Sequence, residues 1–169
     1  RIDDLKLKFK YEENTKYHSG FLKLSKIDIL KKRSDFYEIS SNRHSVRDYD
    51  PYISPNLEII ISAINNSIKT PSLCNRQPWK THILNDSEQI QSVLDVQRGL
   101  NNIRRANVPV LLVLTTDLSY YANDKERNEP YVNGGMFAMS LLYSLHHEGL
   151  AACPLNASLS IKDNKKIMK

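Results

Sequence analysis

Nine residues, Pro71-Ser72-Leu73-Cys74-Asn75-Arg76-Gln77-Pro78-Trp79, bring two prolines, two amide side chains, a hydroxyl and the chain's only tryptophan into one short stretch. Proline fixes the backbone and removes a donor, while Asn75 and Gln77 each carry both a donor and an acceptor. Such a stretch suits a rigid loop better than a regular element, and its paired polar groups suit the edge of a planar heterocycle. It can equally serve as a helix-to-strand connection in which Trp79 anchors the core. Upstream lies Ser41-Asn42-Arg43-His44-Ser45-Val46-Arg47-Asp48-Tyr49. There Arg43, Ser45 and Arg47 alternate, so an extended backbone places all three on one face. A helix would also bring Arg43 and Arg47 together, since they are four apart. Two guanidinium groups flanking a hydroxyl suit a phosphate or a polyol chain. The same residues could also form a solvated basic turn neutralised by Asp48 and Asp50.

In this order and at this distance, the two segments resemble the nitroreductase family of FMN-dependent oxidoreductases. That family opens with Arg-(Arg/His)-Ser-x-Arg and an aromatic, then passes through a helix to Pro-Ser-x-x-Asn-x-Gln-Pro-Trp. A third match follows, in which Asn133-Gly134-Gly135-Met136 opens a long apolar helix that ends at Gly149-Leu150 and runs into Ala151-Ala152-Cys153-Pro154-Leu155-Asn156. The resemblance covers residues 41–160. Within it, Glu126-Arg127-Asn128-Glu129-Pro130-Tyr131 looks most like nitroreductase-like proteins of surface-polysaccharide biosynthesis loci.

The resemblance implies an α+β fold, an α/β/α sandwich with a mixed sheet flanked by helices. It also implies a homodimer with two active sites at the subunit interface. The implied cofactor is FMN and the implied reductant NADH or NADPH. Hydride would pass through flavin N5 to an electrophilic acceptor such as a nitroaromatic or quinone, in alternating half-reactions with ping-pong kinetics.

By the same resemblance, Arg43 and Ser45 bind the phosphate and ribityl region, with His44 nearby. Arg47 would reach the ribityl chain and pyrimidine edge, where its charge favours the reduced flavin. Pro71, Ser72 and Asn75 match the loop that usually reaches the other subunit's flavin, with Gln77 fixing that loop or the cofactor edge. Pro154, Leu155 and Asn156 match the segment beside N5. Many relatives carry an acid followed by glycine there, where this chain has Asn156-Ala157, so a backbone N–H is left as the donor. The family's further strand and basic residues after the last helix have no match before Lys169. These departures motivate a second reading, a non-catalytic flavin-binding or dimeric accessory protein in polysaccharide assembly. No side chain is assigned a catalytic role. His146 and His147 diverge by about 100° on a helix and cannot face one site, so neither is placed in the chemistry. Tyr120 and Tyr121 fall where relatives place an aromatic lid, or they are surface tyrosines.

The bulk properties fit. A chain of 169 residues reads as one domain, with 1–40 a helical extension and 41–169 the flavin-binding part. Apolar content of 40% and charged content of 25% are ordinary for a globular protein. Five glycines and no Gly-x-Gly-x-x-Gly argue against a Rossmann dinucleotide loop. The net charge of +5 is dispersed among mixed-sign segments without RNP or zinc spacing, so no nucleic-acid partner is expected. A positive field would favour an anionic cofactor. Cys74 and Cys153 form neither a disulfide framework nor a metal site and read as free thiols in a reducing cytoplasm. No apolar run reaches membrane-spanning length, so no membrane partner is expected. The chain begins without Met and stops in a helix-like segment, so both ends read as trimmed.

Periodicity supplies the elements that must position these groups. An amphipathic stretch over Phe21–Lys32 predicts a helix. Ser54 and Pro55 predict the start of another, burying Leu57, Ile60, Ile61, Ile64 and Ile68. A strand is expected at 80–85, then a helix from a capping box at Asp86–Gln89 through Val96. The apolar run Val108–Thr116 predicts a central strand covered on both faces. A long helix over Tyr131–Glu148 stops at Gly149, followed by a short strand at Leu150–Leu155 and a cap at Ser160–Asp163.

Overall fold

The computed structural model describes residues 33–47, 49–50, 52–97, 108–157, 159–160 and 163. The chain divides into two units, Arg1–Ser41 and Asn42–Lys169. Helix α1 (Arg33–Asn42) is described, whereas the helix expected over 21–32 lies outside the described residues. The second unit carries α2 (Leu57–Ser67), β1 (Trp79–Leu84), α3 (Ser87–Val96), β2 (Leu111–Thr116) and α4 (Glu129–His147). It is an α+β arrangement.

Helix α2 starts at Leu57 because Asn56 caps it: the Asn56 Oδ1 accepts the Glu58 N–H at 2.9 Å. This corrects the expected Ser54–Pro55 start by two residues. Pro55 holds its own φ but supplies no side-chain acceptor, and asparagine is as good a cap as serine. Ile60, Ala63 and Ser67 face the core. Leu57, Ile61 and Ile68 do not, at 37%, 47% and 40% exposure, against the expectation that they are buried. The helix carries two adjacent stripes, and among the described residues the stripe of Ile60, Ala63 and Ser67 is the buried one.

That partner is α4, whose Phe137, Leu141 and Leu145 are buried with Ala63. Asn133, Phe137, Leu141 and Leu145 recur every four residues, one continuous stripe along the helix. The helix begins two residues earlier than expected, since Pro130 in the first turn loses no hydrogen bond there. It ends at Gly149, where φ is 78° and the Leu150 N–H reaches back to the Leu145 carbonyl at 2.8 Å. The Glu148 carboxylate ties this end to α2 by accepting Ser62 Oγ–H at 3.0 Å and Asn66 Nδ2–H at 3.4 Å.

Strands β1 and β2 pair antiparallel, with Trp79 opposite Thr116 and Leu84 opposite Leu111. Leu112 and Leu114 lie against the Phe137 cluster, while Leu111 packs with Ile90 and Leu94 of α3. Alternation along β2 thus covers both of its faces, as its apolar run predicts. The capping box at the start of α3 forms as expected, the Asp86 Oδ1 accepting the Gln89 N–H at 3.0 Å. Residues 150–155 do not form the expected strand: Ala152 makes a single parallel bridge to Ser45. Pro154 has no N–H to extend a ladder, and Leu155 turns to the Ile90–Leu94 cluster.

Candidate functional site

The arginine segment carries one parallel bridge, at Ser45, and the cavity beside it takes Arg43, His44 and Val46 into its lining but neither Ser45 nor Arg47. Ser45 bridges Ala152, and the Val46 N–H donates to the Ala152 carbonyl at 3.2 Å. Arg47 is exposed and folds back, its Nη1 donating to the Ser45 carbonyl at 3.2 Å. Arg43 is half-buried and makes no ion pair among the described residues, where the two ion pairs are Arg76–Glu126 and Lys80–Asp117. The His44 Nδ1 contacts the Asn42 carbonyl at 2.7 Å. A carbonyl only accepts, so this nitrogen carries hydrogen and Nε2 faces outward unshared. Burial pushes the Tyr49 hydroxyl up from its ordinary value, with the neighbouring Cys153 adding to the effect. That hydroxyl donates to the Val46 carbonyl at 2.9 Å and so braces the segment.

Beside the segment lies a cavity of about 280 Å³. Arg43, His44 and Val46 line one side, Leu142 and His146 of α4 another, and Leu150 to Ala152 a third. Among the described residues its lining contains no carboxylate. His146 faces this cavity while His147 is exposed, which settles the divergence expected of adjacent helical residues.

The amide loop is held in a conformation that side chains rarely adopt. Cys74, Asn75 and Gln77 have φ of 50°, 53° and 49°, the left-handed region. Each such non-glycine residue costs about 1–3 kcal/mol, and surrounding contacts must over-determine it. The Ser72 Oγ accepts the Gln77 N–H at 2.9 Å. The Gln77 Nε2 donates to the Ile68 carbonyl and to Asn75 Oδ1, both at 3.3 Å. The Leu73 N–H donates to Oδ1 of the buried Asn133 at 3.1 Å. Asn133 in turn donates to the Glu129 carbonyl at 2.8 Å and the Tyr121 hydroxyl at 3.2 Å. Arg76 donates to the Tyr120 carbonyl at 2.7 Å and to both Glu126 oxygens, at 2.8 and 3.3 Å. Pro71, Asn75 and Gln77 remain exposed and Ser72 half-buried.

Trp79 closes the loop as the expected core anchor, stacking on Phe137 with ring centroids 4.7 Å apart and planes 10° from parallel. Such a pair adds about 0.5–1.5 kcal/mol beyond its burial. At the surface, Lys80 pairs with Asp117 at 2.8 Å and holds its carboxyl well below the usual carboxylate range, with Ser119 contributing.

Helix α4 separates the two groups of polar residues. The amide loop hangs on Asn133 near its first turn, and the Arg43 cavity sits at His146 near its last. Thirteen helical residues span about 20 Å. The 154–156 segment lies elsewhere: Leu155 packs on α3, and the Asn156 carbonyl accepts Gln97 Nε2–H at 2.6 Å. Three residues that the spacing did not single out have clear places here. Asn133 is a buried hub, Arg76 a clamp, and His146 a cavity wall. The Gln77-like density of polar groups flagged the loop itself, whereas no local pattern marks a residue whose partner is 50 or more positions away.

Residues 41–107 match the model of the nitroreductase family. The chain is 33% identical over 57 residues to YdgI of Bacillus subtilis, a candidate NAD(P)H nitroreductase, a match taking in 34% of this chain and 27% of that protein. Among solved structures, a candidate NAD(P)H:FMN oxidoreductase of Staphylococcus epidermidis superposes with a TM-score of 0.69 at 18% identity, over 88% of this chain and 83% of that one. Iodotyrosine deiodinase, solved with FMN and 3-iodo-L-tyrosine, superposes with a TM-score of 0.60 at 20% identity, over 78% and 79%.

Proposed function

We propose that this chain, whose residues 41–107 match the nitroreductase family model, is an FMN-dependent oxidoreductase that uses NADH or NADPH to reduce a small electrophile such as a nitroaromatic or quinone. The observation that carries this reading is the presence of two prepared surfaces. One is the Arg43 cavity, whose described lining holds no carboxylate, and the other is an amide loop locked in left-handed conformations. A half-buried guanidinium with no protein anion suits a phosphate, through charge-assisted hydrogen bonds. Backbone strain of this kind persists where a surrounding network enforces it, commonly at ligand clamps.

Bound FMN supplies the redox chemistry, taking hydride from the nicotinamide and passing it to the acceptor. The chain's own residues bind and orient. Arg43 and Ser45 hold the phosphate and ribityl region, with His44 beside them. Arg47 exchanges its Ser45 contact for the ribityl chain or pyrimidine edge. Asn75 keeps its Oδ1 on Gln77 and offers its Nδ2 hydrogens outward, while Pro71, Ser72 and Gln77 hold it there. Pro154, Leu155 and Asn156 would border the N5 edge, with the backbone N–H of Asn156 or Ala157 as the donor, since no acid stands at Asn156.

The separation along α4 supports a two-copy site, in which the Arg43 end of one chain and the Asn75 end of another would share one cofactor. Apolar surface is available for that pairing. Val132, Met136 and Met139 on α4 are 50%, 41% and 38% exposed, beside the exposed stripe of α2, and Gly135 has open space around it.

The visible absorption spectrum before and after anaerobic NADH or NADPH tests the proposal. Flavin bands that bleach support the oxidoreductase. Bands that persist point to a flavin-binding accessory role, and a protein that neither carries nor accepts FMN removes the reading. Among the described residues, no helix is long and apolar enough to cross a membrane.

A further inference from the structure

We propose that His146, in the last turn of α4, completes a phosphate-monoester pocket with Arg43 and His44 and so makes the site select FMN over the unphosphorylated flavin. The inference rests on the flavin reading above and adds a residue to it. Three observations carry it. First, the cavity of about 280 Å³ brings a residue from the long helix against two from the arginine segment, roughly a hundred positions away in the chain. Second, among the described residues the ionisable side chains in its lining are Arg43, His44 and His146, with no carboxylate beside them. Third, Arg43 has no ion-pair partner among the described residues, so its guanidinium N–H groups are left for a ligand, while the hydrogen on His44 Nδ1 goes to the Asn42 carbonyl.

Phosphate has three acceptor oxygens and needs donors from more than one direction. Arg43 supplies a fork from the extended segment, and His146 supplies an N–H from the helix side, whatever its protonation. Leu142, Leu150 and the alanines at 151 and 152 keep water from competing on the remaining walls. The neighbouring acid, Glu148, is turned to Ser62 and Asn66 on α2. Nothing in the sequence marks His146 over His147; the packing of α4 makes the choice.

The test compares FMN and riboflavin binding, by quenching of flavin fluorescence, in the wild type and in His146→Ala, His146→Gln and His147→Ala. The expected result is a rise of about tenfold or more in the FMN Kd for His146→Ala, the scale of a charged hydrogen bond. His146→Gln, which keeps a donor, recovers part of the loss. Riboflavin affinity stays within about twofold throughout, and the exposed His147→Ala behaves as wild type. Equal weakening of both flavins, or no change for FMN, overturns the role of His146 while leaving the flavin reading intact.

Inorganic phosphate, followed through the imidazole NMR signals, separates the remaining cases. If the wild type binds neither flavin yet phosphate saturably shifts the His44 and His146 rings, the pocket stands and the flavin reading falls. If phosphate shifts neither ring, the pocket is overturned as well.

Discussion

Arg76 and Glu126, fifty residues apart, meet in a two-pronged ion pair of 2.8 and 3.3 Å that clamps the amide loop to the segment between β2 and α4. The same carboxylate accepts the Ala122 N–H at 2.8 Å, so one side chain organises both loops. Arg76 holds the Glu126 carboxyl below its ordinary value, and the Ala122 N–H adds to this.

A pH dependence follows from that depression. A carboxyl whose folded value lies below its unfolded value stabilises the fold above the ordinary glutamate range, about pH 4.3. The contribution is lost as pH falls through the lowered folded value. The pair is half-buried and joins two loops outside the core clusters, so the effect is local loosening and not global unfolding. The Ala122 amide should therefore stay protected from hydrogen exchange at neutral pH, after correction for intrinsic rates, and open only in acid. Glu126→Gln should expose it at pH 7. An unchanged protection factor in that variant would rule the clamp out.

The Trp79–Phe137 stack sets a stability prediction. Phe137 is 1% exposed, and Phe137→Ala should cost about 3–5 kcal/mol in denaturant unfolding. A double-mutant cycle with Trp79→Leu should return a coupling of about 0.5–1.5 kcal/mol. Additive losses would mean that the two rings contribute only their separate burial.

Gly134 sits inside α4 where alanine is normally better by about 1 kcal/mol. A Cβ there would lie 2.8 Å from Thr116 Oγ1, which donates to the Pro130 carbonyl at 3.2 Å. Gly134→Ala should thus destabilise the wild type by about 1 kcal/mol, as it displaces that hydrogen bond. In a Thr116→Ala background, where the obstructing oxygen is gone, the same change should be neutral or stabilising. A stabilising effect in both backgrounds would contradict the close approach.

Arg43→Ala should weaken FMN binding by about 1.5–3 kcal/mol, the value of a hydrogen bond to a charged group. Fluorescence titration would read this as a Kd raised about 10- to 100-fold. An unchanged Kd removes Arg43 from the site.

Subunit sharing can be read by complementation. A purified heterodimer of Arg43→Ala and Asn75→Ala chains would hold one doubly altered site and one intact site, if each site takes Arg43 from one chain and Asn75 from the other. It should show about half of the wild-type NAD(P)H-dependent turnover, well above either parent homodimer. No gain over the parents would place both residues in one chain's site.

Much of the candidate site is legible because its chemistry is encoded within short segments. Arg43 and His44 are neighbours in the chain, and both line the cavity beside the Ser45 bridge. Asp86 and Gln89 form their cap through a contact three residues long. The positions that went astray had a choice between local solutions. Asn56 displaced Ser54 as a cap, and Leu150 to Leu155 lost its strand to one bridge and a proline. Ile61 and Ile68 show a different failure: periodicity marks an apolar stripe but not whether its partner lies in the same chain.

The order of residues was enough to place the helices that follow the two loops and to mark the proline–amide segment as a loop, whereas the helix over Arg33–Asn42 was not foreseen. These depend on spacings of a few residues, where backbone geometry dictates which side chains share a face. Packing alone decided that Arg76 clamps Glu126, that Asn133 is the hub beneath the loop, and that His146 rather than His147 lines the cavity with Arg43. Each of those pairings joins segments dozens of residues apart. Their meeting is set by how α4 lies against α2 and β2, a property of the whole core that no short stretch contains.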